Sequence, residues 1–114
     1  MAFNSEMIIF GEKNVEVLYP MHEIDSYNGD EMKTHIRSGI DSSDAVIINC
    51  SRVTYLNSSG LRELIQILKN MREVNKPLYL TAVNDEIMKV FKSTNLNRLF
   101  NIHESNDDAM RYII

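Results

Sequence analysis

Ser58 and Ser59 stand where an apolar run gives way to an amphipathic one, inside the stretch from Val46 to Leu68. A serine at the mouth of a helix meets unpaired backbone N–H groups and a partial positive charge. That setting suits two kinds of chemistry. One is capping, in which Asn57, Ser58 or Ser59 accepts an orphan N–H. The other is a covalently attached phosphate, whose charge a helix start tolerates. No Glu or Gln completes a capping box, because Leu61 follows Ser58 by three and Arg62 follows Ser59 by three. Gly60 falls inside the first helical turn, where it costs about 0.5–1 kcal/mol relative to alanine. Its expected role is to leave the surface open so that another protein can approach Ser58.

Other chemistries find less support. Leu56-Asn57-Ser58-Ser59-Gly60 is not the Gly-x-Ser-x-Gly of a nucleophile elbow, and His22, His35 and His103 sit in no catalytic motif. One cysteine and three scattered histidines give no pair at zinc-like spacing, and no phosphate-binding loop is present, so neither metal nor cofactor is expected. His35 reads as lying on a polar helix face. His22 and Asp25 read as solvated near a strand end. Cys50 ends an apolar strand and reads as a buried structural thiol, which leaves redox sensing without support. Met88 reads as partly exposed beside the Ser58 surface, with an adaptable side chain suited to partner packing.

The elements that must position these residues follow from periodicity. Met7–Phe10 and Val15–Tyr19 flank a polar interval and read as a hairpin. Asp25–Ile40 carries a helical stripe at Met32, Ile36 and Ile40, although Asn28-Gly29 blurs its start. Ala45–Cys50 reads as a central strand. The next helix puts Leu61, Leu64, Ile65 and Leu68 on one face. Pro77–Val83 is a strand. Asn84-Asp85-Glu86 opens a helix whose buried face is Ile87, Val90, Phe91 and Thr94. Leu99–Ile102 is a last strand. Ser105 with Asp108 caps a final helix that packs through Ala109, Met110 and Ile113. The alternation predicts an α/β domain with right-handed crossovers. Its sheet is mixed, antiparallel at the opening hairpin, with four to five strands and about four helices.

The chain has 114 residues, 44% of them hydrophobic, and a formal charge of −4. That size suits one domain spanning 1–114 with a core that needs no disulfide. The acidic balance and alternating charge signs argue against direct nucleic-acid binding. No apolar segment reaches membrane-spanning length, and the first seven residues lack the basic and apolar regions of a signal peptide. A cytoplasmic location with no membrane contact is the expectation.

Three segments together resemble the STAS domain family, in particular the bacterial anti-sigma factor antagonists. Val46–Leu64 is similar to its apolar strand, short loop, Asp-Ser-Ser-Gly or Asp-Ser-Thr-Gly, then a helix. Leu80–Ile102 is similar to its strand, helix, "Thr-Gly-Leu" and "Leu-Phe" ending. His22-Glu-Ile-Asp25 occupies the place of Gly-Glu-Leu-Asp. The resemblance implies a non-enzymatic partner switch. Unmodified, such a protein binds an anti-sigma factor that is also a serine kinase of the histidine-kinase-like ATPase fold. Phosphorylation ends the complex, and a metal-dependent serine phosphatase restores it. The matching serine is Ser58, with Ser59 second. The implied partner surface comprises Asp25, Asn57, Ser58, Ser59, Gly60, Arg62, Glu63 and Met88. Asn57 and Asn49 replace acidic residues of the family pattern, and His22 replaces its glycine. Two alternatives stay open, the first of them favoured by Asn57 and Asn49. One is a constitutive scaffold or accessory subunit of stressosome-like or lipid-transport-like type. The other is a nucleotide or small-molecule sensor.

Overall fold

A central sheet of five strands carries the architecture in the computed structural model, which describes residues 3–113. The expected domain, 1–114, includes residues 1, 2 and 114, which lie outside the described ones. The strands are β1 (Phe3–Phe10), β2 (Lys13–Pro20), β3 (His22–Ile24), β4 (Ala45–Asn49), β5 (Val53–Leu56), β6 (Leu78–Thr81) and β7 (Asn101–His103). The helices are α1 (Ser26–Ser38), α2 (Ser58–Glu73), α3 (Asp85–Ser93) and α4 (Asn106–Met110). The main sheet runs β1-β2-β4-β6-β7. Its β1–β2 hairpin is antiparallel and every later pair is parallel.

β4 is buried along its whole length, as expected of a strand covered on both faces. Val46 and Ile48 point toward α1, α2 and α3, while Ala45 and Ile47 point toward α4. On α2, Leu64, Ile67, Leu68 and Met71 form the buried stripe, with Leu61 and Ile65 packed at its margin. Each such side chain fully buried contributes on the order of 1.5–3 kcal/mol. The predicted caps at Asn84 and Ser105 are both present: they accept from Ile87 N at 2.8 Å and Asp108 N at 3.1 Å. No helix among the described residues is long and apolar enough to cross a membrane.

Four expectations change. β3 and β5 pair in parallel as a separate two-stranded sheet, in segments to which periodicity assigns no element. Each is too short to show an alternation, and no tight turn joins them. α1 begins at Ser26 despite Asn28-Gly29, because Asp25 caps it and Asn28 completes a capping box. Asp25 Oδ1 accepts from Tyr27 N and Asn28 N at 3.0 Å, and Asn28 Oδ1 accepts from Asp25 N at 2.8 Å. Asp25 is therefore a half-buried cap, not a solvated group. His35 is not on a polar face: its ring packs edge-on to Phe3 at 5.4 Å and its Nε2 lies 3.0 Å from Glu16 Oε2. Thr94 is exposed at the C-cap of α3, its hydroxyl donating to Val90 O at 2.8 Å.

Cys50 is buried, and burial pushes its thiol up to about 12 from an ordinary value of 9.0. The thiolate, which does the chemistry, is thus suppressed near neutrality. A thiol reagent at about pH 8 is expected to leave the folded protein unmodified and to titrate one thiol after denaturation. The same shift predicts alkaline weakening. The unfolded thiol ionises near 9.0 and the folded one near 12, so between those values the folded state holds the extra proton. Stability present below 9.0 is then lost as pH rises toward 12. Burial also raises Tyr19 and Tyr79, which adds to the fall in the same direction. Urea midpoints measured through this range check the sign.

Candidate functional site

β5 delivers the chain directly to the start of α2. Asn57 N donates to Ile24 O at 3.3 Å, which ties this point to the end of β3. Asn57 is the helix cap. Its Oδ1 accepts from Gly60 N at 2.7 Å and from Ser59 Oγ at 2.9 Å. The Ser59 hydroxyl is therefore occupied and half-buried. Ser58 occupies the first helical position, exposed, and its hydroxyl has no hydrogen-bond partner among the described residues. The capping role and the free hydroxyl thus fall on different residues.

Gly60 does something other than open a surface. It is buried, and a Cβ placed there would meet Ile24 O at 2.0 Å, Ile24 C at 2.5 Å and Asp25 N at 2.9 Å. Its missing side chain lets the first turn of α2 press against the β3–α1 junction. Gly29 of α1 makes the reciprocal approach, since a Cβ there would lie 2.6 Å from Glu63 Cβ. Two helix N-termini consequently meet at one place, with Asp25 and Asn57 as their caps. α2 has no acidic residue in its first turn, so its positive end is not offset by its own side chains.

The remaining expected residues separate by exposure. Arg62 is exposed. Glu63 is half-buried and turned toward α1, with its Oε2 3.1 Å from Lys33 Nζ at the α1–α2 contact. Met88 is half-buried against the main core, in keeping with a partly exposed side chain. Asn84 links α3 to this face, as its Nδ2 donates to Val53 O at 3.1 Å. His22 holds φ at +67°, the left-handed region that favours glycine. Asn49, buried at the end of β4, accepts from Ser51 N at 2.9 Å and donates to Asn106 Oδ1 at 2.9 Å. An amide there serves the loop entry and the α4 contact together.

Two tyrosines escaped the sequence reading. Tyr55 on β5 is 57% exposed and Tyr27 in the first turn of α1 is 74% exposed. Both flank the paired helix starts. The available signal was Val53-Thr-Tyr-Leu56 itself, with buried Val53 and Leu56 around an exposed Thr54 and Tyr55. It becomes legible only once β5 is recognised as a strand. Among the described residues, no group of three His, Cys, Asp or Glu could hold a metal ion.

A family model described as the STAS domain matches residues 9–109. The anti-sigma-B factor antagonist of Staphylococcus aureus is 30% identical over 88 residues, covering 75% of this chain and 80% of that protein. Among solved structures, a candidate anti-sigma factor antagonist from Thermotoga maritima superposes with a TM-score of 0.84 at 21% identity, over 97% of this chain and 93% of that one. The Bacillus cell fate determinant SpoIIAA in its phosphorylated form superposes with a TM-score of 0.73 at 18% identity, over 99% of this chain and 100% of that one.

Proposed function

The chain belongs to the STAS domain family, and from that premise we propose that it is an anti-sigma factor antagonist switched by phosphorylation of Ser58. In this reading the unmodified protein binds an anti-sigma factor and frees the sigma factor. The anti-sigma factor is itself a serine kinase of the histidine-kinase-like ATPase fold. It transfers the γ-phosphoryl group of ATP to Ser58 Oγ, releasing ADP and the hydroxyl proton. A metal-dependent serine phosphatase hydrolyses the ester and resets the switch. The protein acts by binding and carries out no reaction of its own.

One observation carries the choice of serine: Ser58 is exposed with a free hydroxyl, whereas Ser59 is engaged by the Asn57 cap. A phosphate at the first helical position brings about −1.5 to −2 charges beside the N–H groups of α2, so the fold tolerates it. Against a partner the same charge must be desolvated, which costs several kcal/mol when unpaired. Asn57 in place of the family's acidic residue keeps the cap while removing one negative charge beside the acceptor.

The test is intact-mass and peptide mass spectrometry after incubation with ATP and the candidate anti-sigma kinase. The expected result is a single phosphate on Ser58, absent from Ser58→Ala. A complex that forms while no phosphate is transferred would leave a constitutive antagonist or scaffold. A phosphate on Ser59 would overturn the assignment of the acceptor.

A further inference from the structure

A groove of about 490 Å³ opens between α3 and β7. Its floor is apolar, from Met88, Phe100 and Ile102, and its rim carries Lys92 and Arg98. Asn97, Asn101 and His103 complete the lining, the His103 ring itself packing beside Tyr79 and Tyr112. No carboxylate is among its lining residues. Neither Lys92 nor Arg98 makes an ion pair among the described residues. On a chain whose formal charge is −4, a wall with two unneutralised cations is a local reversal of sign. The fold does not need those charges: both side chains are exposed and the core lies beneath them.

β7 is also an edge. It pairs with β6 on one side only, in parallel, with Leu80 opposite Ile102 and Thr81 opposite His103. Ala82 N donates to His103 O at 3.1 Å. Backbone groups in a parallel ladder alternate in direction, so His103 addresses β6 and Ile102 turns its own N–H and C=O to the free side. An extended segment lying along this edge would meet a backbone donor and acceptor, an apolar floor and a cationic rim.

We propose that this groove docks an acidic, extended segment of a partner protein, with carboxylates on Lys92 and Arg98 and an apolar side chain over Met88 and Phe100. The occupant is identified by charge complementarity and by the free edge of β7, the arrangement used in strand addition. A shallow, open groove suits a strand better than an enclosed small molecule. Asn84 at the head of α3 is bonded to β5, the strand that leads to the Ser58 loop, and Met88 follows one turn further along α3. The proposal does not depend on phosphorylation of Ser58.

The experiment is a ¹⁵N–¹H NMR titration of the full chain. Its probes are a short peptide of alternating Glu and Leu, the same peptide with Lys replacing Glu, and inorganic phosphate. The expected result is saturable shifts with the Glu peptide alone, centred on Asn101, Ile102 and Lys92. The double variant Lys92→Glu/Arg98→Glu should lose about tenfold or more in affinity. Its circular dichroism should be unchanged, since both residues are exposed. Shifts confined to another surface, equal binding of the Lys peptide, or an unaffected double variant would overturn the proposal. Phosphate reproducing the Glu-peptide shifts at equal concentration would overturn it too, in favour of a small-anion site.

Discussion

Gly60→Ala is expected to destabilise the protein by about 2–3 kcal/mol, the upper part of the range for overpacking a close contact. Alanine ordinarily gains about 0.5–1 kcal/mol over glycine inside a helix, so the local effect points the other way. Packing decides the sign here. The new methyl would sit 2.0 Å from Ile24 O, and every close atom is backbone, so no side-chain rotation relieves it. The first turn of α2 must move off the end of β3, or β3 must move with the start of α1. Either shift strains the Asn57 N to Ile24 O bond that holds the site together. Gly39→Ala supplies the control, because a Cβ there meets only His35 O at 4.0 Å, and φ is −110°. Urea denaturation of both variants decides the matter. A Gly60→Ala protein as stable as Gly39→Ala would mean that α2 has slack at its start.

That expectation also shows what a sequence can and cannot carry. Helical spacing of Leu61, Leu64, Ile65 and Leu68 located α2, since one-dimensional periodicity encodes a face directly. β4, apolar at every position, was legible for the same reason, and Asn84 and Ser105 announced their helices by side-chain chemistry. Most of the misreadings involve what lies across the fold, although Thr94 was misplaced by its own helix, whose C-cap it forms. Gly60 looked like an opening because the carbonyl of Ile24 is far away in sequence. The contact of Glu63 with Lys33 stayed hidden because Lys33 belongs to another helix. His35 looked polar because Phe3 and Glu16 come from the hairpin. β3 and β5 stayed hidden because each is short and paired only with the other. The Ser58 loop was found, but which serine was free depended on the hydroxyl of Ser59 reaching back to Asn57.

Ser58→Asp is expected to weaken binding to the anti-sigma partner by about a hundredfold, equivalent to about 2.7 kcal/mol, while Ser58→Ala stays within about threefold of wild type. The asymmetry follows from where the side chain sits. Its hydroxyl bonds to nothing among the described residues, so removing it breaks no internal contact. A carboxylate at the same position stands at the positive end of α2, where a charge of that sign stabilises a helix by about 0.3–1 kcal/mol. Folding stability and binding should therefore move in opposite directions in Ser58→Asp: an unchanged or raised urea midpoint with a weaker complex. Asn57→Ala separates the cap from the switch. It removes the acceptor for both Gly60 N and Ser59 Oγ, and should cost about 0.5–2 kcal/mol of stability without adding charge. Titration calorimetry against the partner, beside urea melts of all three variants, reads both quantities. Equal affinities for Ser58→Asp and Ser58→Ala would sink the switch, because a charge at the exposed head of α2 would then not reach the interface. A Ser58→Asp protein that binds poorly only because it is partly unfolded would show a lowered midpoint, the opposite of what a helix N-terminus does to a carboxylate.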